Sequence, residues 1–183
     1  QEITHTLCLP SLYMLLLELA NPTQLVSLQT VIVAGEACQP ELVRLHYEVL
    51  PAAELFNEYG PTEATVWSTA LRVGVEYSDQ PVPIGRPIPN THNYILDRNN
   101  QPVPIGVPGE LCIAGPGVTM GYLHDPEKTA QKFFELSFDG EPQKRLYRTG
   151  DRARYLPDGN IEFLGRIDQQ VKIRGNRVEL GEI

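Results

Sequence analysis

The sequence predicts an α/β fold that continues into a β-rich, barrel-like portion, on the basis of two observations. In residues 1–71, short apolar strand patterns alternate with helical patterns, as in a parallel sheet flanked by helices. Beyond about residue 72, short strand patterns separated by turns replace the helical ones, and eleven of the sixteen prolines lie there. We therefore expect an α/β subdomain portion over residues 1–71 and a barrel-like subdomain over residues 72–167.

The first portion predicts the order strand, helix, strand, helix, strand. HTLCLP is a short buried strand, and Ser11 can cap a helix that Asn21-Pro22 ends. The core face of this helix is predicted by leucines at helical spacing: Leu12, Leu15, Leu16 and Leu19. LQTVIVAGE is a β-branched strand, Pro40 stands at the start of a second helix, and AELFNEYG supplies a third strand.

The β-rich portion contains strand patterns in PVPIGRPIPNTHNYILD and PGELCIAG, joined by an RNNQ turn. One helix interrupts the strands, with Asp125 as its expected cap and Pro126 in its first turn. Three apolar residues are expected on one face of it: Ala130, Phe133 and Phe134. ARYLPDGNIEFLG then predicts two strands joined by a Pro-Asp-Gly turn.

The composition is that of a globular protein and excludes several function classes. The 183 residues include 42% apolar and 21% charged residues, and the formal charge of −8 argues against a nucleic-acid or anionic-membrane partner. Cys8, Cys38 and Cys112 are far apart and odd in number, which indicates reduced thiols in a cytoplasmic protein. The apolar run LCLPSLYMLLLELA is too short to span a bilayer, and the four histidines show no metal-ligand spacing.

A polar loop, NEYGPTE, follows the third predicted strand. In an open α/β sheet, loops at the carboxyl ends of strands form the crevice in which ligands bind. Tyr59 could stack on a flat ring, Thr62 could donate a hydrogen bond to a phosphate, and Glu63 is a hard oxygen ligand suited to magnesium held mainly by phosphates. These residues fit a nucleoside triphosphate site, and they fit a polar surface turn equally well.

A second polar stretch, YRTGDRARYLPDGNIEFLGRID, favours the nucleotide site. Asp151 is a loop carboxylate of the type that accepts both hydroxyls of a ribose. Arg166 is a fork-shaped cation that can hold phosphate or ribose oxygens, and Asp168 follows it two residues later.

Four long motifs, taken together, resemble one enzyme family. NEYGPTE, GELCIAGPGVTMGYL, YRTGD and GRIDQQVKIRGNRVELGEI occur in the order and spacing of the adenylate-forming enzymes, and the last motif resembles the amino-acid adenylation domains of nonribosomal peptide synthetases. The resemblance implies the later part of the large N-terminal domain of such an enzyme, followed over residues 168–183 by a hinge and the start of a C-terminal lid.

The resemblance also implies roles for individual residues. Tyr59 would stack on adenine, Thr62 would touch the α-phosphate, and Glu63 would hold Mg²⁺. The other nucleotide-binding positions would be Gly35, Asn57, Gly60, Asp151 and Arg166. Asp168 matches the hinge about which the lid rotates, and Gly175 would line the path of a phosphopantetheine arm. The substrate pocket would include Ile32, Ala34, Glu58, Val66 and Trp67.

The implied reaction converts ATP and an amino acid to aminoacyl-AMP and pyrophosphate, then loads the aminoacyl group onto a carrier-protein phosphopantetheine thiol. The implied partners are the carrier and condensation domains of the same synthetase. The chain starts with Gln1 and stops at Ile183, so we expect a piece of a longer protein. The family's phosphate loop and amine-binding Asp should lie upstream and its catalytic lysine downstream, and we expect the isolated piece to be inactive and to expose apolar surface.

The substrate and the enzyme class leave alternatives open. The Trp67 indole takes up pocket volume and favours a small amino acid such as glycine, alanine or cysteine, whereas Glu58 would suit a basic or amide substrate or a water-linked position at the rim. The competing functions are an acyl- or aryl-CoA ligase, which would use the same ATP groups, and a noncatalytic docking module that keeps the fold.

Overall fold

The structure, a computed structural model, describes residues 2–137, 142–168, 171–173 and 176–178. The chain divides into two compact units, residues 1–58, 70–85 and 170–183 on one side and residues 59–69 and 86–169 on the other. The subdomain boundaries expected after residues 71 and 167 stay a prediction.

The first unit is built on a sheet flanked by helices, as the sequence predicts. Its strands lie side by side in the order β1 (His5–Cys8), β2 (Thr30–Ala34), β3 (Glu54–Tyr59) and β4 (Thr69–Val73). β1, β2 and β3 are parallel, with Leu7 opposite Ile32 and Ala34 opposite Glu58. Helices α1 (Pro10–Leu19) and α2 (Pro40–Val49) follow β1 and β2, which completes two strand-helix-strand connections.

Helix α1 buries a different face from the one predicted. It begins at Pro10 with Leu9 as a cap residue that makes no side-chain hydrogen bond, so the predicted Ser11 cap is wrong. Tyr13 and Leu17 are buried, at 0% and 4% exposure, whereas the four leucines of the predicted core face are exposed: Leu12, Leu15, Leu16 and Leu19. Apolar residues occur at helical spacing on both sides of α1, so periodicity alone could not select the buried side.

On the buried side of α1, Tyr13 forms a hydrogen bond with His46 of α2. The Tyr13 hydroxyl lies 2.7 Å from Nδ1 of the buried His46 on α2, and Nε2 of His46 lies 3.0 Å from the Ala53 carbonyl oxygen. Because a carbonyl only accepts, Nε2 carries the proton and Nδ1 accepts from Tyr13. Burial lowers the pKa of His46, and the Ala53 carbonyl partly offsets this effect.

Besides residues 59–69 and the short strand β5 (Arg86–Pro87), the second unit contains an antiparallel sheet. Its strands are β6 (His92–Leu96), β7 (Gly109–Ala114), β8 (Phe133–Leu136), β9 (Lys144–Tyr155) and β10 (Ile161–Arg166). The order is β10-β9-β7-β6, and β8 also pairs with β9. Register shifts in the β7–β9 and β9–β10 pairs bend the sheet, which confirms the barrel-like, curled character that the sequence predicts.

Helix α3 (Pro126–Lys132) lies between β7 and β8. The predicted cap is confirmed, because Asp125 Oδ1 accepts a hydrogen bond from the Lys128 backbone N–H at 2.8 Å. Phe133 and Phe134, predicted on the helix, instead begin β8, where they pair with Tyr147 and Leu146 of β9. The pairing of β8 with β9 ends the helix at Lys132. The sequence of the helix gives no sign of this end.

At the end of the described chain, β11 (Val171–Ile173) and β12 (Asn176–Val178) pair in antiparallel orientation. Cys8, Cys38 and Cys112 are free thiols, and burial raises the pKa of Cys38 and of Cys112 to about 12. Within the described ranges, no helix combines the length and apolar character needed to cross a membrane.

Candidate functional site

In the first unit, five of the predicted site residues lie at or next to the carboxyl ends of two parallel strands. Ile32 and Ala34 are on β2, Gly35 follows it, and Asn57 and Glu58 are on the neighbouring β3. The strand register pairs Ala34 with Glu58, so the predicted pocket residues of this unit lie together. Loops at this edge of a parallel sheet are the usual position of ligand sites.

The two polar residues of this edge differ in environment. Asn57 is buried at 3% exposure, and its Nδ2 donates to the Pro83 carbonyl oxygen at 2.8 Å. Glu58 is half-buried, and burial raises the pKa of its carboxyl group. The carboxyl group of Glu58 is therefore harder to ionise than one in water.

In the second unit, the polar loop folds back on itself at Gly60. The Ser68 N–H donates to the Tyr59 carbonyl oxygen at 2.8 Å, and a Cβ added at Gly60 would meet the Val66 carbonyl oxygen at 2.1 Å. Thr65 and Val66 both have positive φ angles, of 56° and 75°, which is unusual for β-branched residues. Only glycine fits at position 60, and the strained turn sets the course of the chain through Val66 and Trp67.

Tyr59, Asp151 and Arg166 form one hydrogen-bonded cluster. The Tyr59 hydroxyl donates to Asp151 Oδ2, and Arg166 Nη1 donates to Asp151 Oδ1 at 2.8 Å. Asp151 is buried at 7% exposure, and its backbone N–H donates to Thr149 Oγ1 at 2.9 Å. Residues separated by 92 positions in the sequence thus meet at one carboxylate.

Arg166 is held in place by further contacts. It grips Asp168 through two bonds, Nε to Oδ1 at 2.8 Å and Nη2 to Oδ2 at 2.6 Å, and its Nη1 also donates to the Thr149 carbonyl oxygen at 2.8 Å. Gly150 has φ of 74°, and an added Cβ there would meet Arg166 Nη2 at 2.8 Å. A glycine at this position therefore makes room for the guanidinium group.

The charges of this cluster shift the ionisation of its members. Burial raises the pKa of Tyr59 well above its ordinary value, and the charge of Asp151 raises it further. For Arg166, burial opposes the charged form, but hydrogen bonds and charge from Asp168 and Asp151 outweigh it and raise the pKa. Tyr59 therefore stays a hydrogen-bond donor and Arg166 a cation at neutral pH.

Glu63 lies in a separate part of the same unit. It is buried at 8% exposure in a short helical turn, Thr62–Ala64, and its Oε1 accepts a hydrogen bond from the Tyr122 hydroxyl at 2.6 Å. Thr62 is exposed. One carboxylate suits Mg²⁺, which is usually held by one or two carboxylates together with phosphates. Across the part of the chain that the structure describes, no group of three or more His, Cys, Asp or Glu side chains could hold a metal by itself.

Sequence reasoning missed two aromatic residues of this unit. The ring centroids of Phe163 and Tyr59 are 6.4 Å apart, and Phe163 is 37% exposed, so an apolar ring surface lies beside the predicted adenine-stacking residue. Tyr122 contacts Glu63 from 59 positions away. Neither carries a local signal, because Phe163 fits an ordinary strand alternation and Tyr122 lies in a glycine-rich turn. Gly175 lies outside the described residues.

Comparison with known proteins gives consistent matches. Residues 1–123 match the family model described as AMP-binding enzyme. The chain is 55% identical over 163 residues to tyrocidine synthase 3 of Brevibacillus parabrevis, covering 89% of this chain and 2% of that protein. It is 52% identical over 182 residues to bacitracin synthase 3 of Bacillus licheniformis, covering 100% of this chain and 3% of that protein. It thus spans only a small part of these relatives.

A solved structure also matches the fold closely. It is holo-PA1221, described as an NRPS protein containing adenylation and PCP domains bound to a vinylsulfonamide inhibitor. The TM-score is 0.90 at 34% sequence identity, and the match covers 97% of this chain and 31% of that one. An artificially fused adenylation-PCP di-domain NRPS, NpsA-ThdA from Klebsiella oxytoca, matches with a TM-score of 0.86 at 33% identity, over 98% of this chain and 36% of that one.

Proposed function

Because the chain belongs to the AMP-binding enzymes, we propose that it forms part of an amino-acid adenylation domain of a nonribosomal peptide synthetase. The whole domain would catalyse attack of an amino-acid carboxylate on the α-phosphate of ATP, with release of pyrophosphate. The aminoacyl group would then pass to the phosphopantetheine thiol of a carrier domain, in an assembly that also contains condensation domains. The peptide-synthetase relatives favour this function over an acyl- or aryl-CoA ligase.

The cluster of Tyr59, Asp151 and Arg166 carries the proposal. A buried carboxylate between a tyrosine hydroxyl and an arginine is held in one orientation, so it can accept the hydroxyl groups of a ribose without first reorganising. The Tyr59 and Phe163 rings offer apolar surface beside it for a flat base. Asn57 and Gly35 would supply neighbouring contacts to the adenine.

Thr62 and Glu63 would serve the phosphates. The exposed Thr62 would donate to the α-phosphate, and the Glu63 carboxylate would hold Mg²⁺. When bound, Mg²⁺ would neutralise charge on the phosphate oxygens. The contribution of these residues is positioning and charge placement rather than covalent chemistry.

The remaining predicted roles belong to substrate choice and to lid motion. Ile32, Ala34, Glu58, Val66 and Trp67 would line the amino-acid pocket, and the Trp67 indole favours a small side chain. Asp168 would be the hinge of the lid, and its two bonds to Arg166 would hold the hinge in one of its states. Gly175 would line the phosphopantetheine path.

ATP–pyrophosphate exchange in the complete adenylation domain tests the proposed function. We expect exchange with one small amino acid from a panel that also contains aryl and fatty acids, and loss of exchange in Glu63→Gln and Asp151→Ala. Exchange only with acids that lack an amino group would instead indicate an acyl- or aryl-CoA ligase. No exchange with any acid would favour the docking module. We also expect the isolated 183-residue chain to be inactive.

A further inference from the structure

The Glu63 carboxylate is tied to a second loop of the same unit, residues 117–122. The Tyr122 hydroxyl donates to Glu63 Oε1 at 2.6 Å. A tyrosine hydroxyl that donates to a carboxylate fixes the direction of that carboxylate. A carboxylate has about four lone-pair positions, and this hydroxyl occupies one of them.

Two hydrogen bonds to backbone carbonyl oxygens hold the loop and the Glu63 turn together. The Thr119 N–H donates to the Glu63 carbonyl oxygen at 2.9 Å. The Thr65 hydroxyl donates to the Gly117 carbonyl oxygen at 2.6 Å. A Cβ at Gly117 would lie 3.0 Å from the Ala64 carbonyl oxygen, so the two backbones pass close to each other. The loop therefore follows the turn along its length and does not touch it only at the carboxylate.

Tyr122 is itself fixed from the other side. Its backbone N–H donates to Thr129 Oγ1 at 2.9 Å, and Thr129 is on α3. The Tyr122 ring meets Phe133 edge-on with centroids 5.7 Å apart, and Lys128 Nζ lies 5.3 Å from the ring centre. A side chain held by the backbone, by an aromatic neighbour and by a cation loses little freedom when its hydroxyl bonds Glu63.

We propose that Tyr122 is a positioning residue for the metal-binding carboxylate of Glu63, so that α3 and the loop of residues 117–122 set the affinity of the site for Mg²⁺. The inference rests on the proposed function, in which Glu63 holds the metal. Tyr122 contacts neither metal nor nucleotide in this role and acts only through Glu63. Partners that orient a metal ligand from behind typically change metal affinity by about 10- to 100-fold when removed.

The decisive variant is Tyr122→Phe in the complete adenylation domain. It keeps the ring, and with it the contacts to Phe133 and Lys128, and removes only the hydroxyl. The matched control is Tyr155→Phe, because the Tyr155 hydroxyl of the same unit donates to the Asn93 carbonyl oxygen at 2.6 Å and is remote from Glu63 in the sequence and in its contacts. Thermal melting of both variants checks that the fold is intact.

Two readouts follow metal affinity. The first is the concentration of Mg²⁺ that gives half-maximal pyrophosphate exchange at saturating ATP and amino acid. The second is independent of turnover: electron paramagnetic resonance of Mn²⁺ titrated into the domain with a non-hydrolysable ATP analogue. We expect Tyr122→Phe to raise the half-maximal Mg²⁺ concentration and the Kd of Mn²⁺ by about tenfold each, with most of the maximal rate recovered at high Mg²⁺. We expect Tyr155→Phe to leave both quantities unchanged.

Glu63→Gln separates failure of the inference from failure of the proposed function. If Glu63→Gln weakens Mn²⁺ binding and Tyr122→Phe does not, Glu63 remains the metal ligand and the role of Tyr122 is overturned. If Glu63→Gln has no effect on Mn²⁺ binding, the assigned metal ligand is wrong and the inference falls with it. The double variant should bind Mn²⁺ no more weakly than Glu63→Gln alone, since Tyr122 acts through that carboxylate, and additive losses would contradict this.

Discussion

Arg166 bonds the Asp151 carboxylate through Nη1 at 2.8 Å while its other nitrogens grip Asp168. One planar cation therefore links the residue proposed to bind ribose to the residue proposed as the hinge. A lysine carries the same charge but has no fork to reach both carboxylates at once.

We predict that Arg166→Lys lowers kcat/KM for ATP by at least about tenfold, equivalent to about 1.4 kcal/mol, because Asp151 loses its orientation. Pyrophosphate exchange at varied ATP measures the change. Arg154→Lys is the matched control, since Arg154 pairs across β9 and β10 with Glu162 at 2.5 Å. Equal losses in the two variants would mean that a generic strand ion pair, and not the cluster, is responsible.

Tyr59 combines a ring and a hydroxyl whose contributions can be separated. Tyr59→Phe keeps the stacking surface and loses the bond to Asp151, whereas Tyr59→Ala loses both. Because stacking on a base is worth about 1–3 kcal/mol, we expect Tyr59→Ala to weaken ATP binding by about 5- to 150-fold and Tyr59→Phe to fall between it and the wild type. Calorimetric ATP titration measures both, and an unchanged Kd for Tyr59→Ala would remove Tyr59 from the adenine site.

His46 makes stability depend on pH. Its pKa is lowered in the folded protein, so the unfolded state binds more protons near and below pH 6.5. The stabilisation is complete above the unfolded pKa and is lost as pH falls through it. We expect the Tm of the adenylation domain to drop between about pH 7 and pH 5. His46→Gln should flatten this slope, whereas His92→Gln, at an exposed position, should retain it.

The hydrogen bond to His46 can be tested separately. Tyr13→Phe leaves the buried Nδ1 of His46 without its donor, so we expect a loss of about 1–3 kcal/mol in unfolding free energy at pH 7.5. Denaturant unfolding of the complete domain measures this loss. A loss below about 0.5 kcal/mol would show that the bond adds little beyond packing.

The outer face of α1 predicts the behaviour of the isolated chain. Leu12 and Leu19 are 57% and 79% exposed, and a contiguous apolar face of this kind promotes association. We expect the 183-residue chain alone to aggregate, and Leu12→Gln with Leu19→Gln to increase its soluble fraction. Leu17→Gln, on the buried side of the same helix, should instead reduce it. Soluble, cooperatively unfolding wild-type chain would contradict the expectation.

The elements of the fold were largely predictable because their signals are local. Alternating strand and helix patterns gave the first unit, and the Asp125 cap was readable from its own neighbours. The buried side of α1 could not be predicted, because Tyr13 and the leucines all occur at helical spacing. The residue that hydrogen-bonds to Tyr13 on that side, His46, lies 33 positions away in the sequence. The end of α3 was missed for the same kind of reason, since pairing with β9 decides it.

The candidate site divides in the same way. The residue types of NEYGPTE and YRTGD indicated a nucleotide site, since stacking rings, carboxylates and an arginine have limited chemical uses. The sequence could not predict which of these side chains form hydrogen bonds with each other, because Tyr59 and Asp151 come together only in the tertiary structure. Tyr122 and Phe163 were missed because the contact of the Tyr122 hydroxyl with Glu63 and of the Phe163 ring with Tyr59 exists only in the folded structure.

Strand β9 runs for twelve residues and is hydrogen-bonded to β7, β8 and β10. Asp151 lies on this strand opposite Arg166 of β10, in the most extensively paired element of its unit. Amide protons in such a strand exchange with solvent only when large parts of the structure open together. Fraying of the sheet edges would therefore leave the carboxylate in place, and loss of nucleotide binding on heating should coincide with cooperative unfolding of the unit rather than precede it.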